Sequence, residues 1–146
     1  MVVKRWLGLD LGHVRIGVAL SDPLGVTAQP LSVLKSAGTQ KDIAAIGELV
    51  NKHEVTQVIV GLPLNMDGTE SQTTRKVREF TGKLSGRLNA PVFFVDERLT
   101  SKQAERAMIE GNVRRENRRE KIDKVAAALL LQSALEGAPL LPVEKP

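Results

Sequence analysis

Acids stand at the ends of three apolar segments, where a carboxylate can be drawn into chemistry. Asp10 closes an apolar run containing Trp6, Leu7 and Leu9, with Gly12 two residues on. Asp96 and Glu97 close a second run, Val92-Phe93-Phe94-Val95. Asp123 falls in the first turn of a helix that is apolar nearly all round, and it heads a row through Ala127, Leu130 and Ala134. A carboxylate that faces a buried sheet needs a counter-charge, and a divalent cation supplies one. Three such carboxylates suit Mg²⁺ or Mn²⁺, which take oxygen ligands in octahedral geometry and keep waters and substrate phosphates. Each acid also has a purely structural explanation. Asp10 could satisfy an Asx-turn, Asp96 or Glu97 could pair with Arg98 at a strand exit, and Asp123 could be a first-turn charge favoured by the helix dipole. Strand side chains alternate between faces, so only one of Asp96 and Glu97 is expected to share a site with Asp10. The residue pattern leaves open which one.

Basic residues surround these acids. Residues 114–121 read Arg-Arg-Glu-Asn-Arg-Arg-Glu-Lys, and Arg114, Arg115, Arg118, Arg119 and Lys121 are placed to take phosphates just ahead of Asp123. Arg15 follows the first-strand turn and Arg98 follows the second pair of acids, so both are candidate phosphate contacts. The structural alternative is a solvated connection in which Glu116 and Glu120 partly neutralise the arginines. Asn65 and Thr69 border a strand end where ligands collect; Thr69 also suits a helix cap. His13 and His53 read as solvent-facing.

The elements that must position these groups follow from periodicity. Residues 2–10 and 14–22 read as two strands of a hairpin, and 25–35 as a third, with Pro30 marking an edge. Thr39 suits the N-cap of a helix to about residue 53, with Ile43, Ile46, Leu49 and Val50 on its apolar face. Residues 55–61 form a buried-type strand. Thr69 with Gln72 fits a capping box before a helix to about 88. A short strand at 92–95, a helix opened by Thr100 and Gln103, a basic loop, a helix over 121–136 and a Pro-bounded tail complete the chain. The expected architecture is α/β, with a mixed five-stranded sheet between helices and ligands at the carboxyl ends of its parallel strands.

Composition narrows the function classes. With 146 residues, the chain is expected to form one domain over 1–137 and a tail over 138–146. The absence of Cys excludes disulfides and thiolate metal sites. No apolar run approaches a membrane span and the N-terminus has no signal-peptide core, so a cytoplasmic protein with no membrane partner is expected. Net charge is +4 with a sequence pI near 9.6, suited to a polyanion. Aromatics are 3%, with one Trp and no Tyr, so phosphate contacts rather than base stacking must carry most nucleic-acid affinity. No P-loop is present.

Four motifs, taken together, resemble one family. G-L-D-L-G-H-V-R-I-G-V-A-L-S-D at 8–22, V-G-L-P-L-N-M-D-G-T-E at 60–70, D-E-R-L-T-S at 96–101 and K-I-D-K-V-A-A-A-L-L-L-Q at 121–132 are similar to the YqgF family, also called RuvX. That is a group of Holliday-junction resolvases and pre-16S rRNA nucleases, and the resemblance covers nearly all the chain outside the tail. It implies a ribonuclease H-like fold with strand order 3-2-1-4-5. It also implies that Asp10, a second acid and Asp123 meet around metal ions; Glu97 is the choice for the second, with Asp96 the alternative. The implied activity is metal-dependent endonucleolytic hydrolysis of phosphodiesters with Mg²⁺ or Mn²⁺, by two ions about 3.5–4 Å apart. The implied partner is structured RNA, with pre-16S rRNA 5′-end processing as the expected role. Branched DNA is the alternative substrate and would favour a homodimer with two sites. A non-catalytic nucleic-acid-binding module is a further alternative. An ATPase of the actin and sugar-kinase kind would need a second such domain, which this length does not allow.

Overall fold

The computed structural model describes residues 3–98 and 115–144; for 115–122 it describes the helical backbone and not the side chains. The elements are β1 (Trp6–Leu11), β2 (Arg15–Ser21), β3 (Ala28–Lys35), α1 (Thr39–Lys52), β4 (Gln57–Leu62), α2 (Gln72–Arg87), β5 (Val92–Asp96), α3 (Arg115–Leu135) and β6 (Leu141–Pro142). They build one mixed sheet in the order β3-β2-β1-β4-β5-β6. β1, β2 and β3 run as an antiparallel meander, β4 and β5 join parallel to β1, and β6 returns antiparallel to β5. The sheet therefore has six strands rather than the expected five. Leu141 and Pro142 pair with Phe94 and Phe93 and supply the extra edge. A two-residue strand carries too little periodicity to announce itself in a sequence.

Pro30 lies on the edge strand β3, opposite Ala19, where the ladder shifts register between Val18 and Ala19. An edge is where a residue without an N–H is tolerated.

The two faces of the sheet carry different cores. Leu7 and Leu9 of β1, Val18 of β2, Val58 and Val60 of β4 and Phe94 of β5 face α1 and α2, where Ile43, Ile46, Val77 and Leu84 meet them. The opposite face presents Ala19, Ile59 and Val95 to Ala127, Leu130, Leu131 and Ala134 of α3. That face is shallow because Gly8, Gly17 and Gly61 stand in it. A Cβ on Gly8 would lie 2.8 Å from the Leu131 Cβ and 3.0 Å from the Ala127 carbonyl oxygen. Glycine inside a strand marks a place where another backbone comes close, and here it lets α3 lie almost on the sheet.

Helix boundaries differ from expectation at three points. α3 already covers Arg115, so Arg115, Arg118 and Arg119 belong to a helix rather than a loop, the same helix in which Lys121 is expected. Arg, Glu and Lys are good helix formers, and nothing between 115 and 135 breaks the run. α1 starts from Gly38 with no side-chain cap, and Thr39 is its first residue. The cap of α2 is Ser71, not Thr69: the Ser71 hydroxyl accepts from the Thr74 N–H, and Thr74 Oγ1 accepts from the Ser71 N–H at 3.0 Å. Thr69 is taken by the preceding hairpin, where its carbonyl accepts from the Asn65 N–H and its hydroxyl bonds Asp67. The helix expected from Thr100 and Gln103 lies outside the described residues.

Candidate active site

The carboxyl ends of β1, β4 and β5 reach the same rim of the sheet, and three acids gather there on the α3 face. Asp10 is next to last in β1 and is paired with Gly17 of β2. Because Gly17 has no side chain, the α3 backbone settles onto it, and a Cβ there would overlap the Asp123 carbonyl. Asp123 is thereby fixed beside Asp10. On the other side Leu9 pairs with Val60, so Gly61 stands next along β4 beside Asp10. The carboxylate of Glu97 lies over Gly61, where an added Cβ would overlap Oε2. One bare strand position on each side of Asp10 thus admits one more carboxylate.

Alternation separates Glu97 from Asp96. Phe93 and Val95 of β5 belong to the α3-side core, whereas Phe94 faces α1 and α2. Glu97 continues the first set and its N–H donates to the Leu62 carbonyl at 3.3 Å. Asp96 points the other way and is held by Arg98: the Arg98 N–H donates to Oδ1 at 3.0 Å, Nε donates to Oδ2 at 2.9 Å, and Nη2 lies 2.6 Å from Oδ2. These bonds keep the Asp96 carboxyl below the usual carboxylate range.

The electrostatics of the other acids run the opposite way. Burial, and then the charge of Asp123, push Asp10 up to about 6. Burial, followed by the charges of Asp10 and Asp96, pushes Glu97 up to about 7. Asp10 is the middle member: it feels Asp123, and Glu97 feels it. Arg15, at the start of β2 on the same face, donates Nε–H to Asp123 Oδ2 at 3.1 Å. Among the described residues no three His, Cys, Asp or Glu side chains close into a ready-made ligand cluster. Asp10 and Glu97 are buried next to further negative charge, and hard carboxylate oxygens of this kind fit Mg²⁺ or Mn²⁺.

The structure thus brings Asp10, Glu97, Asp123 and Arg15 together. Arg98 is turned away, onto Asp96 and the Met66 carbonyl at 3.2 Å. Arg115, Arg118, Arg119 and Lys121 lie in the first turns of α3, on the helix that carries Asp123, and their side chains fall outside the description; Arg114 lies outside the described residues altogether. Asn65 is spent inside the hairpin after β4, donating Nδ2–H to Thr69 Oγ1 at 3.0 Å. His13 is exposed in the β1–β2 turn and His53 ends α1.

Three structural contributors escaped the sequence. Gly17 and Gly61 set the spacing of the acids, and glycine within an apolar strand was the available signal. Gln132 of α3 accepts from the Ala28 N–H at 2.8 Å and donates to the Val26 carbonyl at 3.0 Å, clamping the helix to the start of β3. No residue pattern flags that contact.

This arrangement of sheet and helices is the ribonuclease H-like fold of resolvases. RuvC of Thermus thermophilus, solved in complex with a Holliday junction substrate, superposes with a TM-score of 0.61 over 94% of this chain and 99% of its own, at 16% identity. Residues 4–137 match the RuvX family model, described as Holliday junction resolvase, and the chain belongs to that family. A relative from Syntrophomonas wolfei, named "Putative pre-16S rRNA nuclease", is 46% identical over 136 residues, covering 93% of this chain and 96% of the relative. One from Pelotomaculum thermopropionicum with the same name is 47% identical over 133 residues, covering 90% and 86%. No helix among the described residues is long and apolar enough to cross a membrane.

Proposed function

We propose that this protein is a divalent-metal-dependent endonuclease that hydrolyses phosphodiester bonds in structured RNA, acting in the cytoplasm on the 5′ end of pre-16S rRNA. The observation that carries the proposal is the row Asp123–Asp10–Glu97, packed over Gly17 and Gly61 on one sheet face. Two of these acids are pushed well above their ordinary values by burial and by one another. Asp10, Glu97 and Asp123 would hold Mg²⁺ or Mn²⁺. When bound, such ions supply charge neutralisation at the phosphate and activation of water for in-line attack.

The chain's own residues do the rest. Asp10 sits at the centre and bridges the outer acids. Gly17 and Gly61 leave the space in which the three carboxylates would close around a cation. Arg15 neutralises Asp123 across 3.1 Å and, among the described residues, is the cation placed to meet a phosphate lodged against the acids. Arg114, Arg115, Arg118, Arg119 and Lys121 are proposed to track the substrate backbone on either side of the cut, with Arg98 holding the β4–α2 hairpin through Met66.

The test is cleavage of a pre-16S rRNA 5′ fragment by purified wild-type, Asp10→Asn and Asp123→Asn proteins, with Mn²⁺ and with EDTA. Cleavage only by wild type with metal supports the proposal; equal cleavage by all three would end it. The family description favours a second substrate, branched DNA, for which a homodimer would place two sites on paired strands. A four-way DNA junction in the same assay, with the solution mass measured alongside, separates the two.

A further inference from the structure

A cavity of about 600 Å³ opens on the face of the sheet away from the acids, between the β1–β2 turn, the start of α1 and the first half of α2. Its floor is apolar, made by Leu11, Ile16, Val77 and Phe80, and its rim carries His13 and Lys76. We propose that this cavity receives one unstacked nucleotide of the substrate strand, its base against the floor and its phosphate toward Lys76 and His13.

Three observations support that occupant. The first is position. Leu11 lines the cavity and Asp10 lines the acid site, so a single peptide unit at the end of β1 separates the two. A strand whose scissile phosphate lies against Asp10 reaches the cavity by passing over the rim of the sheet.

The second is charge. α2 carries Arg75, Lys76, Arg78, Lys83 and Arg87 against the single acid Glu79. Arg78 is engaged by Glu70 at 2.9 Å and Lys83 by Glu79 at 3.5 Å, whereas Lys76 is exposed and has no ion-pair partner among the described residues. Among the described residues the one acid in the cavity wall is Asp42. Asp42 is buried and its oxygens are spent internally, accepting from the Ser36 hydroxyl at 2.7 Å and the Ala37 N–H at 2.8 Å, so the charge exposed at the rim is that of Lys76. Gly38 and Thr39 line the same wall, where α1 begins without a side-chain cap.

The third is size and chemistry. Pockets of several hundred Å³ with an apolar lining and a few polar groups hold single small-molecule units, and flipped-out bases are taken by aromatic and apolar walls. With aromatics at 3% of the chain, Phe80 in that wall is among the few rings able to stack on a base.

The proposal rests on the nuclease assignment, and its test separates the two. Binding of a fluorescein-labelled octauridylate to the full chain is followed by anisotropy in EDTA at low salt, for wild type, Lys76→Glu and Thr73→Trp. Both substitutions are at exposed positions of α2 that line the cavity, one reversing its charge and one filling it, and folding is verified by thermal melting. About a tenfold loss of affinity in each, with photo-cross-linking of a 5-iodouridine octamer to Phe80 in wild type, is expected. Unchanged affinity in both variants, or cross-links only elsewhere, would overturn the cavity assignment while metal-dependent cleavage by wild type leaves the nuclease assignment standing. Uridine monophosphate binding as tightly as the octamer would show a site for free nucleotide and overturn the strand. An octamer that wild type does not bind, with or without Mn²⁺, would overturn the cavity assignment, and absence of metal-dependent cleavage of the pre-16S fragment would separately overturn the nuclease assignment.

Discussion

Replacing Asp10 by Asn keeps the size of the side chain and removes the charge at the centre of the acid row. The folded protein raises the Asp10 carboxyl from an ordinary 3.8 to about 6, through burial and the neighbouring charge of Asp123. A carboxyl raised on folding contributes no penalty below its unfolded pKa, where both states are protonated. The penalty opens as pH climbs through the interval between the two values and is complete above about 6. At roughly 1.4 kcal/mol per unit, the ionised Asp10 costs the metal-free protein about 3 kcal/mol at pH 8. The Asn amide recovers part of this, since burying an amide also has a cost. A gain of about 2 kcal/mol shifts the melting temperature of a domain this size by about 8 °C. Differential scanning of the two proteins in EDTA should therefore show Asp10→Asn melting higher at pH 8 and level with wild type near pH 4. Saturating Mn²⁺ should narrow or invert the gap at pH 8, because only the wild-type carboxylate gains a cation. An Asn variant that melts lower at pH 8, or gains as much at pH 4, would refute the claim that Asp10 is held against its own ionisation.

Three further outcomes follow from the same geometry. Glu97→Gln should reduce metal-dependent cleavage by at least 100-fold, while Asp96→Asn keeps it within about tenfold, since Asp96 faces Arg98; initial rates under single-turnover conditions decide this, and the reverse order would exchange the two acids. Gly61→Ala should force the Glu97 carboxylate aside and crowd Leu130, whose Cδ2 would lie 2.9 Å from the new methyl; a loss of about 1–3 kcal/mol in urea denaturation accompanied by a larger fall in Mn²⁺ affinity is expected, and unchanged Mn²⁺ affinity would contradict it. Changing Arg114, Arg115, Arg118 and Arg119 together to Ser should weaken RNA binding and flatten the dependence of log Kd on log salt by about four charges' worth, whereas an unaltered slope would exclude this segment from the interface.

Much of this was legible from residue type and spacing, for reasons that differ by element. β1, β2, β4 and β5 are short apolar runs, and their acids stand at the ends, where the polarity changes abruptly. The apolar belt of α3 announced a helix packed closely on the sheet, with Asp123 on its inner side. Two things were not legible. Choosing Glu97 over Asp96 needs the phase of β5 against the sheet, and a strand that reads Val-Phe-Phe-Val is apolar on both faces and carries no phase. Capping was misplaced at Thr69 because two polar residues, Thr69 and Ser71, compete for the role within three positions. The hairpin closed by Leu64 and Glu70 takes the first and leaves the second for the helix. The long α3 shows the same limit, since Arg-rich segments suit a helix and a solvated loop equally well until an adjoining apolar helix extends into them.

The central claim is that Asp10, Glu97 and Asp123 form one site for divalent ions. Anomalous diffraction from crystals soaked in Mn²⁺ tests it most directly. A Mn²⁺ peak between Asp10 and its two neighbours, with Arg15 displaced from Asp123, is the predicted result. Crystals that leave Arg15 on Asp123 at saturating Mn²⁺, with no peak against Asp10, would contradict it.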